Sequence, residues 1–260
     1  VLKILHRFHQ EFYNEALHAV LVPMQAKIDA FRATKEPWEI ELMRKAQAIT
    51  DQTFSELCKI IQAGMTEKEL EAELLYRLYK HGAEGPSFDP IVVSGPNTSL
   101  PHGVPGERKL EFGDFITMDF GCIYGGYCSD MTRTVFLGEP SERLRSGYAA
   151  IRDANEQVEA VLRPGMTGKE AHELAEHVLA EHGFAGKMGH GLGHGVGIDI
   201  HELPVLSPRN ETPLEVGNVV TVEPGVYLPG EIGCRLEDFG VVTEDGFEVF
   251  TKSTHELVII

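Results

Sequence analysis

One stretch of this sequence occurs twice. IQAGMTEKELEAELLYRLYKHGAEG at 61–85 aligns without a gap to LRPGMTGKEAHELAEHVLAEHGFAG at 162–186. Both carry Gly-Met-Thr, then Lys-Glu, then His-Gly and a further glycine. Fixed-offset self-similarity constrains a fold more than any local propensity does. Each copy opens on a capping box, Thr66 with Glu69 and Thr167 with Glu170, whose side chains satisfy the free amides of a helix start. Each then runs as an amphipathic helix and stops at Gly82 or Gly183.

A second match follows each first one in the same order. GDFITMDFG at 113–121 aligns with GNVVTVEPG at 217–225. Phe115, Thr117 and Asp119 alternate with Ile116, Met118 and Phe120, the period of a strand. In this register Asp119 coincides with Glu223. Each strand turns back through a glycine-containing loop, and the return strands carry Asp130 and Glu237. With 36–61 and 141–162 as the preceding helices, the unit is helix, helix, strand hairpin, present twice. Chance similarity of two capped helices would explain the first match, but not two matches with acidic residues in register. The expected architecture is α+β: two halves about a pseudo-twofold axis, strands inside and helices outside.

A hairpin turning at Tyr124–Gly125 would set Asp119 directly opposite Asp130. One centred on Gly230 sets Glu223 opposite Glu237. Opposed residues have Cβ atoms roughly 4.5–5.5 Å apart. Two inward-facing pairs of like charge among apolar strand residues are unfavourable unless a cation lies between them. Four carboxylates suit hard or borderline divalent ions and can bridge two of them. The segment GHGLGHGVGIDIHELP at 189–204 adds His190, His194 and His201 in a glycine-rich, strand-like stretch. Its glycines allow close approach of backbone to another group.

Composition narrows the function classes. A formal net charge of −17 over 260 residues repels phosphate backbones, so nucleic acid is not an expected partner. Four cysteines, Cys58, Cys122, Cys128 and Cys234, are too few for a disulfide framework. The N-terminus VLKILHRFHQEFYNEALHAVLVP is broken by His, Arg, Glu and Asn, so neither a signal peptide nor a membrane span is expected, and the expected compartment is the cytoplasm. The chain opens on Val1, so a trimmed or fragmentary sequence is expected.

MDFGCIYGGYCSDMTRT, GHGLGHGVGIDIHELP, TVEPGVYLPG and CRLED together resemble the pita-bread metallopeptidases, closest to the Xaa-Pro peptidases, aminopeptidase P and prolidase. The resemblance covers about residues 30–260. It implies an internally duplicated pita-bread fold, a curved antiparallel sheet with helices on its outer face, over 32–260. It implies two divalent ions, manganese first with cobalt, zinc or iron as alternatives, held by Asp119, Asp130, His194, Glu223 and Glu237. Thr132 and Arg235 match supporting residues, and His102, His190 and His201 match histidines of the substrate site. The implied reaction is hydrolysis of the Xaa-Pro bond of small peptides, with Glu223 carrying the proton and His201 and His190 steadying the oxyanion.

Two alternatives share the fold. Methionine aminopeptidases usually have a longer stretch between the last two carboxylate ligands and lack Arg-x-Glu-Asp. Here fourteen positions separate Glu223 from Glu237, and Arg235-Leu-Glu-Asp is present. Non-catalytic peptide-binding modules typically lose ligands, and none is missing here. One departure is the short N-terminus: residues 1–31 read as a helix (4–20) and a strand (21–31), a stub of the full domain that in the family helps form dimers. A homodimer, and the choice between dipeptidase and aminopeptidase, stay open.

Overall fold

The computed structural model describes residues 24–260, so the helix expected over 4–20 lies outside the described residues. The strand expected over 21–31 is overturned from Gln25 onward, where the chain forms helix α1 (Gln25–Ala33). Its sequence QAKIDAFRA is rich in Ala, Gln, Lys and Arg, all strong helix formers, with Ile28 its one β-branched residue.

The duplicated helices form as their caps predict. In the first half α2 (Pro37–Leu57) precedes α3 (Glu67–Lys80). In the second, α4 (Glu142–Val161) precedes α5 (Gly168–Glu181). Thr66 Oγ1 accepts from Glu69 N at 3.1 Å, and Glu69 Oε2 accepts from Thr66 N at 2.7 Å. Thr167 and Glu170 repeat this at 3.1 and 2.8 Å. The inner faces are apolar. Leu70, Leu74 and Leu78 of α3 and Ala171, Ala175 and Leu179 of α5 are fully buried. Each buried leucine contributes about 1.5–3 kcal/mol of transfer free energy. Two large buried clusters result, one centred on each half.

The strands lie inside this helical layer and pair antiparallel throughout. β2 (Ile91–Ser94), β3 (Phe115–Phe120) and β6 (Met131–Phe136) form the first central sheet in the order β2-β3-β6. β7 (Gly193–Gly195), β8 (Glu202–Leu206), β9 (Val219–Val222), β12 (Asp238–Val242) and β13 (Phe247–Val249) form the second in the order β13-β12-β9-β7-β8. Two small sheets extend them: β1 (Gly85–Pro86), β4 (Cys122–Tyr124) and β5 (Tyr127–Cys128), and the pair β10 (Gly225–Leu228) and β11 (Ile232–Arg235). The central sheets meet at one bridge, Thr132 with Glu237, where Glu237 N donates to Thr132 O at 3.1 Å. That junction lies at the expected acidic cluster.

The hairpin registers separate a correct expectation from a wrong one. In the second half Gly225 pairs with Arg235 and Leu228 with Ile232, and β9 pairs with β12 through Val222 and Asp238. The turn centres on Gly230, and this register sets Glu223 against Glu237 as expected. In the first half Tyr124 pairs with Tyr127, so the turn is Gly125–Gly126, not Tyr124–Gly125. Both glycines have positive φ, +59° and +78°. A two-residue turn with both central residues at positive φ matches the twist of the strands, and Gly-Gly meets that demand where tyrosine would not. The register shifts by two, Asp119 pairs with Thr132, and Asp130 leaves the ladder before β6. Asp119 and Asp130 are therefore not directly opposed.

Candidate active site

Five elements converge at the junction of the two sheets. β3 delivers Asp119, the residue before β6 is Asp130, β7 delivers His194, and Glu223 and Glu237 flank β9 and β12. A cleft of about 270 Å³ is lined by all five, and by His102, His190, His201 and Arg235. Of the ten site residues expected from the sequence only Thr132 is not in its wall; it lies fully buried against Glu237.

His194 Nε2 lies 3.5 Å from Asp130 Oδ2 and 3.5 Å from Glu223 Oε1. One oxygen each of Asp130 and Glu237 and a ring nitrogen of His194 all lie within 4.8 Å of one another. His194 Nδ1 is 3.0 Å from the Gly195 carbonyl, which can only accept, so this nitrogen carries the proton and Nε2 turns its lone pair to the carboxylates. The glycines of this segment let it lie flat on its neighbour. A Cβ at Gly193 would stand 2.1 Å from the Thr221 carbonyl oxygen.

Electrostatics show what the cluster lacks. Burial, reinforced by Asp119 and Glu223, pushes Asp130 well above the usual carboxylate range. Burial and then Asp130 and Glu223 do the same to Glu237. Burial pushes Glu223 up to about 8, with Asp119 adding to the shift and Arg235 opposing it. Burial lowers His190 and His194 to about 4, so both rings are neutral at pH 7. Asp119 Oδ1 and Asp130 Oδ1 are buried without a hydrogen-bond partner. One guanidinium, Arg235, faces these carboxylates. Orphaned carboxylate oxygens beside a neutral imidazole lone pair form a donor set that fits divalent cations.

Arg235 organises the surroundings. Its Nη2 bonds Asp119 Oδ2, its Nη1 donates to Tyr227 Oη at 2.7 Å and Pro101 O at 3.2 Å, and its Nε donates to Thr132 Oγ1 at 3.0 Å. Thr132 Oγ1 donates to Glu237 Oε2 at 2.6 Å. His190 Nδ1 donates to the Gly191 carbonyl at 2.7 Å, leaving Nε2 to accept from Tyr227 Oη at 3.2 Å. Tyr227 thus links Arg235 to His190, a role the sequence reading missed; its sole local signal is its place on the β10–β11 hairpin. Thr221, also missed, donates to Glu223 Oε1 at 3.2 Å and accepts from His194 N at 3.0 Å. It aligns with Thr117 in the duplication. His201 stacks edge-on to His194 with ring centroids 4.3 Å apart, and with His102 it is an exposed group at the cleft.

The sequence matches metallopeptidase family M24 over residues 41–244. A Xaa-Pro dipeptidase of Pyrococcus furiosus is 39% identical over 231 residues, 89% of this chain and 66% of that protein. Among solved structures, the Xaa-Pro dipeptidase from Bacillus anthracis superposes with a TM-score of 0.93 at 42% identity, over 96% of this chain and 71% of the other. The X-Pro aminopeptidase from Thermotoga maritima MSB8 also gives 0.93, at 37% identity over 97% and 72%. The chain spans about two thirds of the length of the relatives it matches. The fold is the expected α+β pita-bread, and the cleft, the duplication and the likenesses agree: the chain belongs to metallopeptidase family M24, on its Xaa-Pro peptidase side.

Proposed function

We propose that this chain hydrolyses the Xaa-Pro bond of small peptides, with two divalent ions held by Asp119, Asp130, His194, Glu223 and Glu237. The observation that carries this reading is the intact donor set with two orphaned carboxylate oxygens, set in a cleft built around Arg235. Manganese is the first choice because four of the five donors are carboxylates. Four free cysteines support a reducing compartment, the cytoplasm. No described helix is long and apolar enough to cross a membrane.

When bound, the ions supply Lewis-acid activation of water and of the scissile carbonyl. The chain's own residues do the rest. Glu223, at the cleft wall with Thr221 on its Oε1, accepts the attacking water's proton and returns one to the leaving proline nitrogen. His201, exposed beside His194, donates to the oxyanion of the tetrahedral intermediate. His190, held by Gly191 and Tyr227, and His102 line the same cleft. Arg235 holds Asp119 and Thr132, and Thr132 holds Glu237. These fixed hydrogen bonds orient the metal-binding carboxylates before substrate arrives.

The test is hydrolysis of Ala-Pro, Ala-Pro-Ala and Met-Ala-Ser after dialysis against each metal in turn, with elemental analysis of the same samples. Cleavage before proline at about two ions per chain is expected. Cleavage of Met-Ala-Ser alone would move the chain to the methionine aminopeptidases. Binding without cleavage of any peptide would make it a recognition module.

A further inference from the structure

Glu67 is the first residue of α3, is fully buried, and is not needed for the helix cap that Thr66 and Glu69 complete. Its partners all come from loop 94–106. Oε1 accepts from Ser94 N at 2.7 Å, Ser94 Oγ at 2.9 Å and Asn97 Nδ2 at 3.0 Å. Oε2 accepts from Gly106 N at 3.0 Å and from the same Asn97 amide at 3.3 Å. One carboxylate therefore ties the start of the loop to its end. Arg108 Nη1 donates to Ser94 Oγ at 2.7 Å and, with Nη2, to the Asp114 carboxylate at 2.6 and 2.9 Å, so the Arg108–Asp114 ion pair abuts the Ser94 end of this network.

The duplication shows that this residue is not part of the repeated scaffold. Its counterpart is Gly168, where a Cβ would lie 2.2 Å from the Val205 carbonyl oxygen. One half excludes any side chain at this position; the other buries a carboxylate there. The difference tracks the loops. Loop 94–106 carries Pro101 and His102 to the cleft wall, where Pro101 O meets Arg235.

We propose that Glu67 is a positioning residue that sets His102 against the substrate by closing both ends of loop 94–106. The claim rests on the peptidase reading given above. Each carboxylate oxygen of Glu67 accepts from a backbone N–H, Ser94 N on Oε1 and Gly106 N on Oε2, so an amide in its place must turn its own NH₂ toward one of these two donors. Glu67→Gln therefore loosens the loop while keeping size and shape.

The test is a double-mutant cycle in the full metal-loaded chain: Glu67→Gln, His102→Ala and both together, with kcat and KM on Ala-Pro-Ala. Glu67→Gln should lower kcat/KM about tenfold, because displacing a substrate-facing group by about 1 Å is costly. It should leave metal content unchanged. On the His102→Ala background the further loss should be under about twofold, because coupled residues do not add. Losses that multiply independently would overturn the proposal. A readout free of activity runs beside it. Amide exchange at Ser94 and Gly106 should speed up in Glu67→Gln while the interior of α3 stays protected, and unchanged protection at both amides would equally overturn it. If no Xaa-Pro peptide is cleaved even by the parent, the peptidase reading fails. Exchange, with the rate of carbethoxylation of His102, then decides the loop claim alone: faster modification in Glu67→Gln supports it, and an unchanged rate refutes it.

Discussion

Thr132 Oγ1 donates a 2.6 Å hydrogen bond to Glu237 Oε2, and this bond joins the two halves of the duplication. Thr132 stands opposite Asp119 in the first half, and Glu237 pairs across the junction in the second. The same hydroxyl accepts from Arg235 Nε at 3.0 Å.

Replacing that hydroxyl by a methyl group tests its function at nearly constant volume. Thr132→Val leaves Arg235 Nε unpaired and frees Glu237 Oε2 to rotate. A lost buried partner costs about 1–3 kcal/mol. Loss of a group that orients a metal ligand typically weakens metal binding about 10–100-fold. Thr132→Ser should stay near the parent in both. Chelator competition and thermal unfolding on the three proteins make the comparison. A valine variant that holds metal as tightly as the parent would remove Thr132 from the metal-supporting set.

Arg235 should not tolerate lysine. Its planar fork reaches Asp119, Tyr227, Pro101 and Thr132 at once, and an ammonium group on a flexible stem cannot reproduce that geometry. Arg235→Lys keeps the charge that opposes the upward shift of Glu223 but frees Tyr227 and the Pro101 turn. We expect kcat/KM to fall about 10²-fold, in line with the cost of a misplaced substrate-facing group. If lysine restores full activity, charge alone matters and the hydrogen-bond fork does not.

Much of this site was legible because the duplication aligned Asp119 with Glu223 and so marked two strands as one design. The second hairpin was readable because a single glycine, Gly230, marks its centre. The first misled by two residues, since Tyr124-Gly125-Gly126-Tyr127 offers two centres and only the demand for two positive φ angles chooses between them. The segment after residue 24 was misread because its spacing is ambiguous and its helix-forming composition decided the outcome. Tyr227 and Glu67 stayed hidden for another reason. Tyr227 acts on Arg235 across a hairpin, and Glu67 acts on Asn97 and Gly106, 30 and 39 positions away. Local periodicity records which face of an element is buried, not which distant polar group a buried side chain meets.

A second buried polar cluster gives a prediction for stability. Asp238 is flanked by Arg133 at 2.6 Å and His255 at 2.7 Å, with Glu159 close by. Burial, and then the charge on Asp238, push Glu159 up to about 8. Its folded pKa thus exceeds the unfolded value of about 4.3, and the folded chain binds the extra proton between the two. The stabilising contribution of the protonated group is complete below pH ~4.3 and is lost as pH rises through about 8. Glu159→Gln should therefore raise the melting temperature at pH 9, by an amount corresponding to about 1–3 kcal/mol, and change it little at pH 5. Parallel melts of parent and variant across this range decide it. Equal slopes would mean that Glu159 is ionised in the folded chain at every pH tested.

Glu223 is assigned two duties, ligand and proton carrier, and Glu223→Gln separates them. Glutamine keeps the shape and still offers one oxygen, so part of the metal should remain. It cannot accept a proton at neutral pH. It also removes one of the charges that push Asp130 and Glu237 upward, so those two carboxylates should ionise more readily in the variant. A general base contributes about 10²–10⁴-fold to the rate, and kcat should fall within that range. Weaker metal binding would mimic this loss, so metal content has to be measured on the sample used for kinetics. With both ions retained, a fall in kcat at constant KM isolates the proton transfer. If the variant keeps both ions and near-normal turnover, the proton moves through another group. His201 is then the first to examine, because it is exposed at the cleft beside His194. His190 would come second, since its Nδ1 proton is committed to the Gly191 carbonyl and its Nε2 already accepts from Tyr227.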